Sequence, residues 1–139
     1  MKNQLTKKQI NAISHQVIGA AITVHKELGS GLLESVYHEC MKEELRFRRL
    51  LFLSEVRVPV LYRNKELSTD LRCDLFIEDC IVVELKSVKA MNEIFQAQLL
   101  TYMRLLKAPK GILINFNSTN IFYKGQKTYV NDYYEALAA

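Results

Sequence analysis

Residues 71–87 read LRCDLFIEDCIVVELKS: two strand-like runs, Leu71 to Ile77 and Ile81 to Ser87, on either side of Glu78-Asp79-Cys80. Folding the stretch into a hairpin with that three-residue loop sets Ile77 opposite Ile81, Leu75 opposite Val83 and Cys73 opposite Leu85, making one face wholly apolar. The same register puts Asp74 across from Glu84, Phe76 across from Val82 and Arg72 across from Lys86 on the other face, where opposed side chains stand roughly 5 Å apart. A slip of one residue would pair Asp74 with Val83 and Cys73 with Glu84, mixing the faces, so the apolar pattern itself selects the register.

Two carboxylates set opposite each other repel, and on a face covered by a helix they are costly unless something neutralises them. A divalent cation does so: Mg²⁺ takes oxygen ligands at about 2.0 to 2.1 Å and keeps several waters, so two carboxylates form an open site. Lys86, two positions beyond Glu84, shares its face and is placed to orient a water or hold a phosphate oxygen. An isolated E-x-K on a strand is more often a solvated face with a cross-strand ion pair. Ile81, Val82 and Val83 argue against that here, because they indicate burial on both faces, and buried charges need partners.

Outward from the hairpin, the chain opens with a helix. Thr6 and Gln9 form a capping-box pattern, and Ile10, Ile13, Val17, Ala20, Ala21, Val24 and Leu28 recur at helical spacing before Gly29. A second helix carries the stripe Leu33, Val36, Tyr37, Cys40, Met41 and Leu45. Val56, Val58 and Val60 then alternate with Glu55, Arg57 and Pro59 as a strand with an exposed edge, followed by a turn at Arg63-Asn64-Lys65. Beyond the hairpin a helix is expected from about Glu93 to Leu106, a break at Pro109-Lys110-Gly111, and a buried strand at Ile112 to Phe116. Ile121-Phe122-Tyr123 and the turn Lys124-Gly125 predict a closing hairpin, with Asn131 to Ala139 a short helix or frayed. Three sequential strands make an antiparallel meander, and a strand reached through a crossover helix is normally parallel. The expected fold class is therefore α/β: a mixed sheet flanked by helices, in the order helix, helix, three strands, helix, strand, terminal hairpin.

Two further groups stand on helices. Gln98 and Tyr102, four apart, project from one face of the third helix, although a surface amide beside a half-buried ring explains that spacing too; Gln96 and Arg104 are less well placed. Glu34 follows the loop Gly29-Ser30-Gly31, where a carboxylate favours the positive end of a helix dipole, so capping suffices for it alone.

With 139 residues, the chain is expected to form one domain, residues 1–139. Its net charge of +4 favours a polyanionic partner only mildly. Cys40, Cys73 and Cys80 lack the C-x-x-C spacing of zinc ribbons and redox motifs, and are too few for the usual iron–sulfur cluster. They read as free thiols of a reducing cytosol. The polar, basic segment Met1 to Gln9 lacks a signal-peptide apolar region and no run is long enough to span a bilayer, so a cytoplasmic location without membrane attachment is expected.

The segment Gly31-Leu32-Leu33-Glu34-Ser35-Val36-Tyr37 resembles the signature of the bacterial GxxExxY family, grouped with the PD-(D/E)XK nuclease superfamily. GAAITVHKEL at Gly19 to Leu28, IVVELKS, AQLLTYM and GILINFN resemble its other blocks, so the likeness runs from about Val17 to Asn117. It implies a restriction-endonuclease-like core of helix, three strands, helix and strand. It also implies metal ligands at Asp74 and Glu84, with Lys86 as the E-x-K lysine, Glu34 as an additional acidic ligand from the preceding helix, and Gln98 with Tyr102 as the Q-x-x-x-Y element of RecB-type members. Cys73 stands where such nucleases often have proline.

The expected function is a Mg²⁺- or Mn²⁺-dependent nuclease acting on nucleic acid, DNA more than RNA, with Arg46, Arg48, Arg49 and Lys89 as backbone-binding candidates and a homodimer or larger complex as a suitable assembly. A catalytically silent nucleic-acid-binding module and a protein-interaction module with the same fold remain alternatives.

Overall fold

The computed structural model describes residues 4–139; Met1–Asn3, the start of the expected polar amino terminus, lie outside the described residues. Helix α1, Lys7–Leu28, begins where expected: the Thr6 side chain accepts from the Gln9 N–H at 3.1 Å and the Gln9 side chain accepts from the Thr6 N–H at 2.9 Å, completing the capping box. It buries Ile10, Val17, Ala20, Ala21 and Val24. Helix α2, Glu34–Phe47, buries Tyr37, Met41 and Leu45, whereas Leu33, expected in its stripe, is the N-cap residue and 73% exposed.

Strand β1, Phe52–Arg57, pairs antiparallel with β4, Arg72–Ile77, and β4 with β5, Ile81–Lys86, so the predicted meander forms. The valine run expected as one strand is instead divided. Val58 donates its N–H to Leu71 O at 2.7 Å, Pro59 has no N–H to offer, and Val60–Tyr62 (β2) leaves to pair with Lys65–Leu67 (β3) as a separate hairpin. Its turn is at Arg63-Asn64, both with positive φ, the backbone that a two-residue hairpin loop requires.

Helix α3, Glu93–Leu105, crosses over to β6, Lys110–Asn115, which lies parallel to β5 and is buried at every position. The closing hairpin does not form as expected. Residues Ile121–Gly125 make a π-helical turn, because the Asn120 side chain takes the Tyr123 N–H at 2.9 Å and Ile121 is buried; β7, Gln126–Val130, then pairs antiparallel with β6. A four-residue helix, α4 at Asp132–Glu135, follows.

The sheet order is β1-β4-β5-β6-β7, with a hydrophobic cluster on each side. One cluster joins α1 and α2 to Leu75, Ile77, Ile81, Val83, Leu85, Ile112 and Ile114; the other joins α3 to Val58, Cys73, Phe76, Val82 and Leu113. This is the mixed sheet flanked by helices expected of a restriction-endonuclease-like fold. None of the described helices is long and apolar enough to cross a membrane.

Candidate active site

From the loop inward, β4 and β5 pair in the expected register: Ile77 with Ile81, Phe76 with Val82, Leu75 with Val83. Beyond Leu75 regular pairing gives way. The Leu85 N–H donates to Asp74 Oδ2 at 2.7 Å, and the Asp74 N–H donates to Glu84 Oε1 at 3.3 Å. Each carboxylate thus takes a backbone hydrogen from the other strand. On the opposite side of β4, Glu55 of β1 falls between the Ser54–Leu75 and Val56–Cys73 pairs with φ of 53°. A left-handed residue in a strand breaks the pleat, at a cost on the order of 1 kcal/mol or more. The faces switch there: Leu75 and Ile77 belong to the α1–α2 side, but Cys73 packs with Val58 and Phe76 under α3. Cys73 therefore leaves the apolar face on which alternation placed it opposite Leu85.

Glu84 is 4% exposed. Burial, then the charge of Asp74 and a hydrogen bond between the two carboxyls, push its pKa up to about 9, while the hydrogen bond from the Asp74 N–H and then the charge of Lys86 pull it down. The Lys86 ammonium stands 4.5 Å over the ring of Phe95 in the first turn of α3, a cation–π contact that steadies it beside the acids. Tyr102 is buried on the same side. Its hydroxyl pKa is raised by burial and then by the charge of Glu84, with a hydrogen bond to the exposed Gln98 in partial opposition. Asp74, Glu84, Lys86, Tyr102 and Gln98 are thus gathered under one helix.

Glu34 is not gathered with them. It is exposed in the first turn of α2, and among the described residues no three His, Cys, Asp or Glu side chains converge as a ligand group. Its helix does begin at the same end of the sheet, since Ser87 Oγ donates to Leu32 O at 2.6 Å. Gly31 and Tyr37 build that junction: Gly31 has φ of 100°, and the Tyr37 hydroxyl donates to Gly29 O at 2.6 Å and accepts from the Leu32 N–H at 3.2 Å, its ring stacked on Phe116 at 4.4 Å.

The basic residues expected to hold a backbone divide sharply. Arg46 in the last turn of α2, with Arg48 and Arg49 just after it, stands at the far end of a 14-residue helix, roughly 20 Å long. Arg46 pairs with Glu43, and Arg48 binds Glu44, Gln16 and Thr23. Arg48 thus ties α2 to α1, while Arg46 and Arg49 are exposed. Lys89 follows β5 and stays at the carboxylate end. Lys127 went unread in the sequence, because the misplaced hairpin hid its register. Glu84 pairs with Leu113 and Leu113 with Lys127, which sets a lysine on the same sheet face two strands away. Asn115 was also missed: beside Lys86 in the register, it accepts from the Val88 N–H and donates to Val88 O, fixing the chain leaving β5.

The donor set suits a hard divalent cation. Glu84 is buried against a second carboxylate that raises its pKa, and a cation held between the two would offset that repulsion and favour the charged form of Glu84. A mixed sheet whose antiparallel hairpin brings an aspartate, a glutamate and a lysine of an E-x-K element together under a crossover helix defines the class of metal-using, restriction-endonuclease-like domains. A family model of the PD-(D/E)XK nuclease superfamily matches residues 11–128, most of the chain, which therefore belongs to that superfamily. No curated protein and no solved structure matches it. The superfamily generally uses divalent metal ions and points to nucleic acid as the substrate class.

Proposed function

We propose that this protein hydrolyses phosphodiester bonds in nucleic acid, DNA in preference to RNA, as a member of the GxxExxY group within the superfamily. The observation that carries the reading is the convergence of Asp74 and Glu84, each bonded to the other's strand, with Lys86 one turn of the pleat away. Asp74 and Glu84 would hold Mg²⁺ or Mn²⁺. When bound, the cation supplies positive charge for the scissile phosphate and lowers the pKa of water. Lys86 binds a phosphate oxygen and orients the attacking water. The Tyr102 hydroxyl, oriented by Gln98, borders the acids and limits solvent behind them.

The GxxExxY assignment rests on the division of labour at Gly31, Glu34 and Tyr37. Two of the three shape the junction before α2, leaving Glu34 exposed and available at the rim. If the ligands are Asp74 and Glu84 alone, Glu34→Ala keeps the rise in melting temperature that millimolar Mg²⁺ or Mn²⁺ gives the wild type; if Glu34 is also a ligand, that rise shrinks.

The test of the whole reading is cleavage of single- and double-stranded DNA and RNA in Mg²⁺ or Mn²⁺, comparing wild type with the Asp74→Ala, Glu84→Ala double variant. Cleavage by wild type alone supports the reading. Equal, negligible cleavage by both on every substrate overturns it, and salt-dependent binding without cleavage would assign the protein to silent nucleic-acid binding. Sedimentation with and without oligonucleotide separates monomer from homodimer.

A further inference from the structure

Phe122 and Tyr123 are neighbours in sequence, and both rings face solvent, 53% and 79% exposed. They stand on a turn held from several sides. Asn120 accepts from the Tyr123 N–H through its side chain and from the Lys124 and Gly125 N–H groups through its carbonyl, each at 2.9 Å. Ile121 roots the turn in the α1–α2 core. At Gly125 an added Cβ would lie 2.9 Å from Asn115 O, so only glycine allows the turn to close this tightly on the end of β6. The two rings meet edge to face with centroids 4.9 Å apart, which fixes their orientation. Such a single π-helical turn is uncommon.

The place of the turn gives the rings a partner. Asn115 pairs with Lys86 in the parallel register, and Gly125 abuts Asn115, so the turn ends two strand spacings, roughly 10 Å, from the E-x-K lysine. Lys124 follows the rings directly, and Lys127 lies in the same row as Glu84. The turn packs against α1 and the end of β6, and a strand passing over that end of the sheet would meet Lys124 with its phosphates and the two rings with its bases. Stacking on an aromatic face needs a base whose own face is free, and in a duplex only the terminal pair offers one.

We propose that Phe122 and Tyr123 form a base-stacking platform that selects unpaired nucleotides, so that the substrate of the neighbouring site is a single strand or a frayed end. The proposal rests on the nuclease reading for its substrate but not for its measurement. Full-length wild type, Phe122→Ala/Tyr123→Ala and Phe122→Leu/Tyr123→Leu are titrated in EDTA, where cleavage is suppressed. The probes are a fluorescein-labelled 20-nucleotide thymidine oligomer and a blunt 20-base-pair duplex. Tyr123→Phe, which keeps the ring, is the rescue. Melting curves confirm that these surface substitutions leave the fold intact.

The expected result is single-strand affinity weakened roughly 10-fold or more by the alanine pair, an equal loss for the leucine pair, retention in Tyr123→Phe and a change under about 2-fold for duplex. Unchanged single-strand affinity, equal losses on both probes, or leucine binding as well as the aromatics would overturn it, the last marking a merely apolar surface suited to a protein. Ring-dependent binding by a chain that never cleaves would sink the nuclease reading and keep the platform. Cleavage by a chain whose binding ignores the rings would do the reverse.

Discussion

The two ends of the β4–β5 hairpin start from the same alternation and finish as different things. At the loop end, Ile77, Ile81, Leu75 and Val83 pair regularly and are fully buried. At the open end the pairing stops, a left-handed Glu55 bends the adjacent edge strand, and two carboxylates take over backbone hydrogens. The dry end fixes position. The irregular end is where charge can be presented, because a side chain that interrupts a ladder is held as firmly as the ladder it replaces.

If that division is right, substitutions at the two ends should fail differently. Asp74→Asn keeps a side-chain oxygen to accept the Leu85 N–H but removes the charge, so cleavage should fall on the order of 10³-fold, equivalent to roughly 4 kcal/mol. The metal-free melting temperature should hold or rise, since Glu84 loses a like-charged neighbour. A matching fall in stability would show that Asp74 is mainly a structural strut. At the other end, Leu75→Ala should destabilise by about 2–5 kcal/mol in denaturant titration while the folded fraction cleaves at nearly the wild-type rate. A cleavage defect larger than the unfolded fraction explains would mean that the two ends are not separable.

A subtler contrast lies in pH. The Glu84 pKa is raised to about 9 in the fold against an ordinary 4.5, so the native chain keeps a proton that the unfolded chain releases. Its stabilising contribution is complete below about pH 4.5 and is lost as pH rises towards 9, with a slope approaching 1.4 kcal/mol per pH unit in between. Metal-free wild type should therefore lose stability between pH 6 and 8 relative to Glu84→Gln, which cannot titrate. Parallel profiles for the two proteins would rule out a proton held by the pair.

The loop end was legible in the sequence because its residues obey period two, and one slip in register would have exposed an isoleucine. Asp74 and Glu84 were legible as a convergent pair for the same reason. Cys73 was not, since a left-handed backbone at Glu55 is a tertiary event that no local pattern signals. Arg48 misled because a basic run at a helix end reads the same whether it faces a ligand or packs against Gln16 and Thr23. Lys127 was lost with the closing hairpin: Asn120 capturing a backbone hydrogen turned an apparent strand, Ile121 to Tyr123, into a helical turn and moved the register that follows.

The smallest effect uses the two thiols that mark the hairpin. Cys73 adjoins Asp74 and Cys80 closes the loop, and burial pushes both up to about 12, so at pH 8 only about one in 10⁴ of either is thiolate. Equal thiolate fractions leave local opening to set the difference in alkylation rate. The open end, where the β4–β5 ladder has stopped and β4 pairs regularly only with β1, should open more often, and Cys73 should label a few-fold faster than Cys80, with half-buried Cys40 ahead of both. Millimolar Mg²⁺ should then slow Cys73 and leave Cys80 unchanged, because a cation held by Asp74 and Glu84 ties together the two strands that must part to expose Cys73. Mass-resolved alkylation reads all three sites at once. Equal slowing of Cys73 and Cys80 would place the ion's effect on the whole fold, and no slowing of either would remove the carboxylate pair as its holder.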